Sequence, residues 1–222
     1  MRFIYIRHGE PTYNPDDLTE LGKSQPEKIA NYLSKYRVDL LFSSTSNRAI
    51  RTAVPTAKKF NMEINKLDFA NEEYVWNSLT LNTTSGKVWL FQSQDTVRLF
   101  HAQEIMDLRF QWYKHPNFSN SRFESEIERI QNESDRFFAS LGYLHLGNGK
   151  FKVLKESYDT VVMFAHQGFG FIFLSLLLNI PYPNFCTRFE LGHAEITIIE
   201  FKNESGYSCP KIISLSNHSH LL

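Results

Sequence analysis

The stretch FIYIRHGEP, residues 3–11, joins an apolar run to an abrupt series of polar and turn-forming residues. Residues 3–6 are typical of a buried strand, and residues 7–11 are typical of the loop that follows one. This stretch therefore predicts a buried strand whose carboxyl end carries an arginine and a histidine, Arg7 and His8.

The same arrangement recurs twice further along the chain. Residues 39–43 predict a second strand, which polar residues and a helix over about 47–60 follow. Residues 160–165, TVVMFA, predict a fully buried strand, and His166 stands directly before a helix that runs through Leu178, where Pro181 and Pro183 are expected to stop it.

Helices and further strands are predicted between these units. Thr19 is a candidate N-cap for a helix with apolar positions at Leu21, Ile29, Ala30 and Leu33. A long amphipathic helix is predicted over residues 123–141, ending near a glycine. Further strands are predicted at 63–67, 195–201 and 211–215. Alternating strands and helices indicate the α/β class, as a three-layer α/β/α sandwich with a mostly parallel central sheet.

The middle of the chain, about residues 77–121, is rich in aromatic residues and has no clean periodicity over its whole length. Only residues 96–110 favour a helix within it. We expect a single domain over residues 1–222, in which this segment is a helical and aromatic insertion, or cap, over the edge that carries the loops.

Composition limits the classes of function. The 24 basic and 24 acidic residues cancel, so nucleic-acid binding through a broad basic face is not expected. The apolar segment 169–178 is too short to span a bilayer, so no membrane partner is expected. The two cysteines, Cys186 and Cys209, suit a reducing compartment, and we expect a cytoplasmic protein.

Arg7, His8, Arg48 and His166 all lie just after predicted strands. Because the carboxyl ends of parallel strands share one edge of the sheet, these side chains can converge there. Two guanidinium groups present paired donors that match phosphate oxygens, which makes a phosphate group the expected ligand. Glu72 and Glu73 follow the third predicted strand and are candidates for a proton donor to a leaving oxygen.

Four segments together resemble the histidine phosphatase superfamily, which includes the cofactor-dependent phosphoglycerate mutases. They are RHGEPTYN at 7–14, LTELGKSQ at 18–25, the region 43–53 around Arg48, and FAHQG at 164–168. The resemblance covers residues 1–73 and again 159–201. It is specific because the four segments occur in the family's order, each just after a predicted strand.

The resemblance implies a nucleophilic role for His8, with Arg7, Arg48 and His166 binding the phosphoryl oxygens. It also implies that Asn14 donates to the same oxygens. Glu72 is 24 residues beyond Arg48, a spacing similar to that of the family's proton donor, so Glu72 is preferred over Glu73 as the acid.

Two residues beside these implied positions, Gln167 and Glu73, are candidate substrate contacts. The residues after the acid, YVWN at 74–77, depart from the family's usual glycine-rich pattern, and this leaves the choice between Glu72 and Glu73 open.

The expected function is hydrolysis of a phosphate monoester through a phosphohistidine on His8. The expected partners are a small phosphorylated molecule and inorganic phosphate as product, with no cofactor and no metal. Two alternatives stay open: a mutase of the phosphoglycerate type, and a non-catalytic module that binds a phosphorylated ligand. His193, near Glu190 and Glu195, is expected to support the site rather than to bind a metal. The substrate and the oligomeric state are not predicted.

Overall fold

Short apolar runs of the sequence form the strands of the central sheet. The computed structural model describes residues 1–84, 86–119 and 121–222. The strands in chain order are β1 (Arg2–Arg7), β2 (Pro11–Tyr13), β3 (Asp16–Leu18), β4 (Leu40–Ser44), β5 (Asn65–Leu67), β6 (Thr80–Thr83), β7 (Gly86–Trp89), β8 (Tyr143–His145), β9 (Phe151–Val153), β10 (Thr160–Ala165), β11 (Ile196–Glu200), β12 (Tyr207–Ser208) and β13 (Lys211–Asn217).

The α-helices, with short 3-10 turns between some of them, lie mainly in the connections between these strands. In chain order they are α1 (Glu20–Leu33), α2 (Asn47–Phe60), α3 (Glu72–Ser78), α4 (Gln94–Phe100), α5 (Gln103–Leu108), α6 (Phe123–Ser140), α7 (Gln167–Leu177) and α8 (Tyr182–Cys186).

Six strands form the main sheet in the order β13-β11-β1-β10-β4-β5. The pairs β1–β10, β10–β4 and β4–β5 are parallel, whereas β11 is antiparallel to both β1 and β13. The predicted α/β class with a mainly parallel sheet is therefore confirmed, with antiparallel strands at one edge.

Alternation along β1 divides the core into two layers, because successive side chains of a strand point to opposite faces. Ile4 and Ile6 pack with residues of α1 and α2 on one face. Phe3 and Tyr5 pack with residues of α6 and α7 on the other. The helices thus cover both faces of the sheet, which is the expected three-layer sandwich.

Several predicted elements have different bounds or roles. Leu21 is 58% exposed because it lies outside the inward face of α1, which is formed by Gly22, Gln25, Pro26, Ile29, Ala30 and Leu33. The segment predicted as one helix over 96–110 is two helices, α4 and α5, which separate at Ala102. Pro181 does not simply stop α7: it is the N-cap of α8, and Pro183 lies in the first turn of α8.

The end of α6 follows the prediction, and the glycine after it has a clear physical reason. Gly142 has a φ of +94°, and a Cβ there would stand 2.3 Å from the carbonyl oxygen of Lys155. Both the conformation and the close approach therefore require glycine, which lets the chain leave the helix toward β8.

The predicted insertion contains the β6–β7 hairpin, α4, α5 and several 3-10 turns, while its residues Ser85 and Asn120 lie outside the described residues. Its aromatic side chains mostly face inward: Phe100, Trp112 and Phe118 contact one another and Tyr182 or Phe123. Packing thus explains most of the aromatic residues of this segment. Trp89, in contrast, lies at the edge that carries the candidate site.

Candidate active site

Strand register brings the candidate residues to one edge of the sheet. In the parallel pairs Arg7 is opposite Ala165, and Phe164 is opposite Ser43. The loops that follow β1, β10 and β4 therefore leave the sheet at the same level. As a result the rings of His8 and His166 lie with their centroids 5.0 Å apart. The predicted convergence of distant loops is present.

His8 is 3% exposed and is held in one tautomer by its neighbours. Its Nδ1 lies 2.7 Å from the carbonyl oxygen of Gly9, and because a carbonyl only accepts, Nδ1 carries the proton. Nε2 then has a free lone pair, toward which Nε of Arg48 donates at 3.3 Å. Burial, with the charge of Arg48, holds the pKa of His8 well below its usual value, so the ring stays neutral near pH 7.

His166 is fully buried. Its Nε2 lies 2.8 Å from the hydroxyl of Ser44 and 3.2 Å from that of Ser46, and its Nδ1 accepts from Nη2 of Arg48 at 3.2 Å. The hydroxyl of Tyr5 donates to the backbone carbonyl of His166 at 2.5 Å. Burial lowers the pKa of His166 well below its usual value, and the neighbouring His8 and arginines lower it further.

Arg48 connects both histidines to a carboxylate that the sequence analysis did not single out. It lies in the first turn of α2, and its Nη1 donates to Asp16 at 2.7 Å. The other carboxylate oxygen of Asp16 accepts from the backbone N–H of Asn47 at 2.7 Å, so Asp16 caps α2 from the β2–β3 hairpin. The hairpin thereby fixes the guanidinium plane of Arg48 against the two imidazole rings.

Arg7 approaches the same space from the end of β1. Its Nη1 donates to the carbonyl of Leu191 at 2.7 Å and its Nη2 to Nε2 of His193 at 2.6 Å. Burial lowers the pKa of Arg7. Burial and the charge of Arg7 lower the pKa of His193 to about 4, so His193 is a neutral acceptor that orients the arginine. Its ring centroid lies 5.6 Å from that of His8.

Glu72 is buried at the start of α3, where Asn71 is the N-cap. Its two carboxylate oxygens accept from the backbone N–H groups of Gly168 and Phe169, each at 2.9 Å. Burial raises the pKa of Glu72 above its usual value, while these two hydrogen bonds and the nearby arginines act in the opposite direction. The carboxyl group therefore retains a proton to higher pH than an exposed glutamate.

Gly168 allows this contact. A Cβ at this position would stand 2.7 Å from the ring of Trp89 and 2.9 Å from Oε1 of Glu72. Any larger residue would push apart the acid and the aromatic wall, so the glycine of the segment 164–168 has a steric role in the site.

A pocket of about 770 Å³ opens above these groups. Its lining residues are Arg7, His8, Tyr13, Asp16, Thr45, Ser46, Asn47, Arg48, Asn71, Glu72, Glu73, Trp76, Trp89, Gln92 and Gln167. Both candidate acids are thus present, with Glu72 buried and Glu73 exposed. Gln167 also lines the pocket and donates to Glu190. His166 lies beneath the pocket and reaches it through Arg48.

Asn14 is placed differently from the other predicted residues. It is exposed in the turn between β2 and β3 and is not among the residues that line the pocket, whereas its neighbours Tyr13 and Asp16 are. The turn directs Tyr13 and Asp16 toward Arg48 instead, with the ring of Tyr13 5.5 Å from the guanidinium carbon.

Trp76, Trp89 and Gln92 also line the pocket, and none of them was predicted as a pocket residue. Trp76 lies one turn after Glu72 on α3, whereas Trp89 and Gln92 are distant along the chain from the motifs. For His193 the sequence indicated a supporting role, and its contact with Arg7 is consistent with that.

Two further observations concern the part of the chain that the structure describes. No group of three or more His, Cys, Asp or Glu residues there is arranged to hold a metal ion. None of the described helices is long and apolar enough to cross a membrane.

Comparison with known proteins gives a family match for part of the chain and several similar folds. The sequence model of the histidine phosphatase superfamily (branch 1) matches residues 3–94. Phosphoserine phosphatase 1 of Hydrogenobacter thermophilus is 34% identical over 77 residues, which make up 31% of this chain and 36% of that protein. The aligned region thus spans about a third of the curated relative's length.

The fold has similar solved structures over nearly the whole chain. The phosphoserine phosphatase of Entamoeba histolytica, in complex with 3-phosphoglyceric acid, has a TM-score of 0.64 at 20% identity and covers 100% of this chain and 99% of its own. A mycobacterial glucosyl-3-phosphoglycerate phosphatase has a TM-score of 0.63 at 19% identity, covering 98% and 99%. Residues 3–94 thus match the model of the histidine phosphatase superfamily (branch 1), and the whole chain has a fold similar to that of these solved structures.

Proposed function

We propose that this protein hydrolyses phosphate monoesters by transferring the phosphoryl group to Nε2 of His8 and then to water. The observation that carries the proposal is the state of His8: a neutral ring with its proton on Nδ1 and its lone pair on Nε2, next to Arg48. A neutral imidazole with a directed lone pair is a competent nucleophile near pH 7. The similar proteins named above are phosphatases by their descriptions, which supports the same class of reaction here.

The first step forms an N–P bond and breaks the ester bond. Nε2 of His8 attacks phosphorus, the oxygen of the leaving group departs with the bonding electrons, and Glu72 supplies the proton that this oxygen needs. In the second step a water oxygen attacks phosphorus, the N–P bond breaks, and the proton lost by water returns to the carboxylate of Glu72. Inorganic phosphate is the product, and His8 is again neutral.

The arginines stabilise the charge that spreads over the phosphoryl oxygens during both steps. Each guanidinium group has five N–H donors, and the hydrogen bonds of Arg7 and Arg48 to described residues use only some of them. The rest are available to phosphoryl oxygens. His166 would add a contact through Nδ1, since the hydroxyls of Ser44 and Ser46 can donate or accept at Nε2 and so match either tautomer.

A panel of small phosphate monoesters tests the proposed activity. We expect the purified protein to release inorganic phosphate from at least one of them, and we expect dialysis against EDTA to leave the rate unchanged within about twofold, because the two arginines already supply the positive charge that the transition state needs. Phosphate release is followed by a colorimetric assay. A rate that EDTA abolishes and a divalent cation restores would contradict the metal-independent mechanism.

The pH dependence tests the two protonation states that the mechanism requires. His8 must be neutral, and because its pKa is lowered, activity is expected to fall only well below pH 6.5. Glu72 must be protonated, and because its pKa is raised above 4.5, activity toward alkyl phosphates is expected to fall as pH rises through that higher value. His8 therefore sets the acidic limb of the pH profile, and Glu72 sets the alkaline limb.

Glu72→Gln separates the two limbs. This variant is expected to lower kcat for alkyl phosphates by about 10²-fold and to remove the alkaline limb, because the amide cannot deliver a proton. The matched control substrate is 4-nitrophenyl phosphate, whose leaving group needs no proton. For this substrate, kcat of the variant is expected to fall much less. Equal losses for both substrates would contradict the assignment of Glu72 as the acid, and Glu73→Gln would then be the variant to compare.

A further inference from the structure

One wall of the pocket is aromatic, and its rings support one another. The rings of Trp76 and Trp89 meet edge to face at 4.8 Å, and Trp89 stacks on Phe91 at 5.6 Å. Phe91 in turn contacts Phe171 of α7 at 4.8 Å. Because Trp89 is also in contact range of Gly168, this wall is tied to the helix that carries the Glu72 contact. The pocket thus has a preformed apolar surface where the leaving group of an ester would lie.

Positive charge in the pocket is confined to the phosphoryl site, whereas acidic side chains also lie elsewhere on its lining. Among the described residues that line it, Arg7 and Arg48 are the only cations, and both are directed to the phosphoryl site. Asp16, Glu72 and Glu73 supply the acids. Glu73 is exposed, and its carboxylate makes no ion pair with a described residue. Once a phosphoryl group has occupied the arginines, no lining cation remains for a second anion.

Lys87, on the neighbouring hairpin strand, does not change this balance. It is exposed and is not among the lining residues. Its ammonium group lies 5.3 Å from the ring centroid of Trp76 and 3.4 Å from the side-chain oxygen of Asn77. Two partners thus already engage the charge, which is directed to the outer hairpin rather than to the pocket.

We propose that the pocket selects monoesters with an apolar, preferably aromatic, leaving group that carries no second negative charge. The inference rests on the proposed phosphatase function. A carboxylate on the leaving group would meet Glu73 and the aromatic wall without a compensating cation, so it would lose its hydration and gain repulsion. An uncharged ring would instead bury apolar surface against Trp76 and Trp89.

Two probes of nearly equal shape isolate the charge: 4-carbamoylphenyl phosphate and 4-carboxyphenyl phosphate. Binding is measured by calorimetry on the full chain with His8→Ala, which prevents turnover. We expect the uncharged probe to bind about tenfold more tightly or better, a difference typical of one uncompensated like charge near a protein surface. Equal affinities, or tighter binding of the carboxylate, would overturn the inference.

Variants of the rim refine the same comparison. Glu73→Lys is expected to bring the two affinities within about twofold or to reverse their order, whereas Glu73→Gln is expected to narrow the gap only partly. Trp76→Ala is expected to weaken the carbamoyl probe about tenfold but glycerol 1-phosphate only about twofold, because only the ring uses the aromatic wall. A preference that Glu73→Lys does not change would contradict the role of the rim acid.

Turnover by the wild-type chain distinguishes this inference from the function on which it rests. If the His8→Ala variant binds selectively but the wild type releases no phosphate, the proposed phosphatase function is contradicted and the proposed selectivity is supported. Phosphate release that favours the carboxylate probe, together with its tighter binding, would leave the activity standing and remove the selectivity.

Discussion

His8→Ala is expected to abolish phosphate release, lowering kcat by about 10⁴-fold or more. The imidazole is the proposed covalent acceptor, and no other described side chain of the pocket offers a neutral nitrogen with a directed lone pair at this position. Removing a nucleophile from a covalent mechanism leaves only the residual catalysis of the binding groups. The rate is measured with 4-nitrophenyl phosphate under saturating substrate.

The matched control is His101→Ala. His101 is exposed at the end of α4 and does not line the pocket, so its removal is expected to leave kcat unchanged within about twofold. Circular dichroism and thermal unfolding establish that both variants keep the fold. An His8→Ala protein that is folded and retains a tenth of the wild-type rate would exclude His8 as the nucleophile.

Arg48→Ala is expected to lower kcat/KM by about 10³-fold. The guanidinium group donates to Nε2 of His8 at 3.3 Å and to Nδ1 of His166 at 3.2 Å, so its loss removes both the orientation of the rings and a positive charge beside the phosphoryl group. Loss of one preorganised donor to a transition-state oxygen typically costs 10²- to 10³-fold. Arg48→Lys is expected to recover only a small part, because an ammonium group lacks the planar fork that joins the rings to Asp16.

Arg51→Ala is the control on the same helix. Arg51 lies one turn further along α2, is 56% exposed and pairs with Asp17 at 3.2 Å. Surface ion pairs contribute little, so this variant is expected to retain kcat/KM within about twofold. A comparable loss in Arg51→Ala and Arg48→Ala would indicate a general disturbance of α2 rather than a specific role of Arg48. Steady-state kinetics across a substrate series measures both variants.

The sequence was most informative where a strand ends in a polar loop. The segments 3–11, 39–48 and 160–168 each combine a strand with a loop that carries candidate site residues, and the strands β1, β10 and β4 pair in parallel as expected. The bounds of α2 and β10 match the predicted ranges of about 47–60 and 160–165. Apolar runs and turn-forming residues next to one another in sequence are enough to predict such strands and helices.

Contacts between distant segments were not visible in the sequence. Asp16 caps α2 and pairs with Arg48 only because a two-stranded hairpin, β2–β3, folds back over the helix. Three-residue strands are too short to show periodicity, so nothing in the sequence marked that hairpin. The exposed position of Asn14 and the position of Tyr13 beside the pocket have the same origin.

The roles of the individual aromatic residues in segment 77–121 could not be predicted from the sequence either. Its tryptophans have two different roles: Trp112 is buried among rings, whereas Trp89 lines the pocket. Tryptophan has the same apolar surface in either place, so only the tertiary contacts distinguish the two roles. The split of the predicted helix at Ala102 likewise depends on packing that periodicity does not report.

Detection of a phosphohistidine tests most directly whether His8 accepts the phosphoryl group. The wild-type protein is mixed with a ³²P-labelled phosphate monoester, quenched with alkali within milliseconds, and digested for mass spectrometry. We expect an alkali-stable, acid-labile phosphoryl group on the peptide that contains residue 8, with no label in the His8→Ala variant. Phosphate release at the full rate without any such intermediate, or a label on His166 instead, would contradict this expectation.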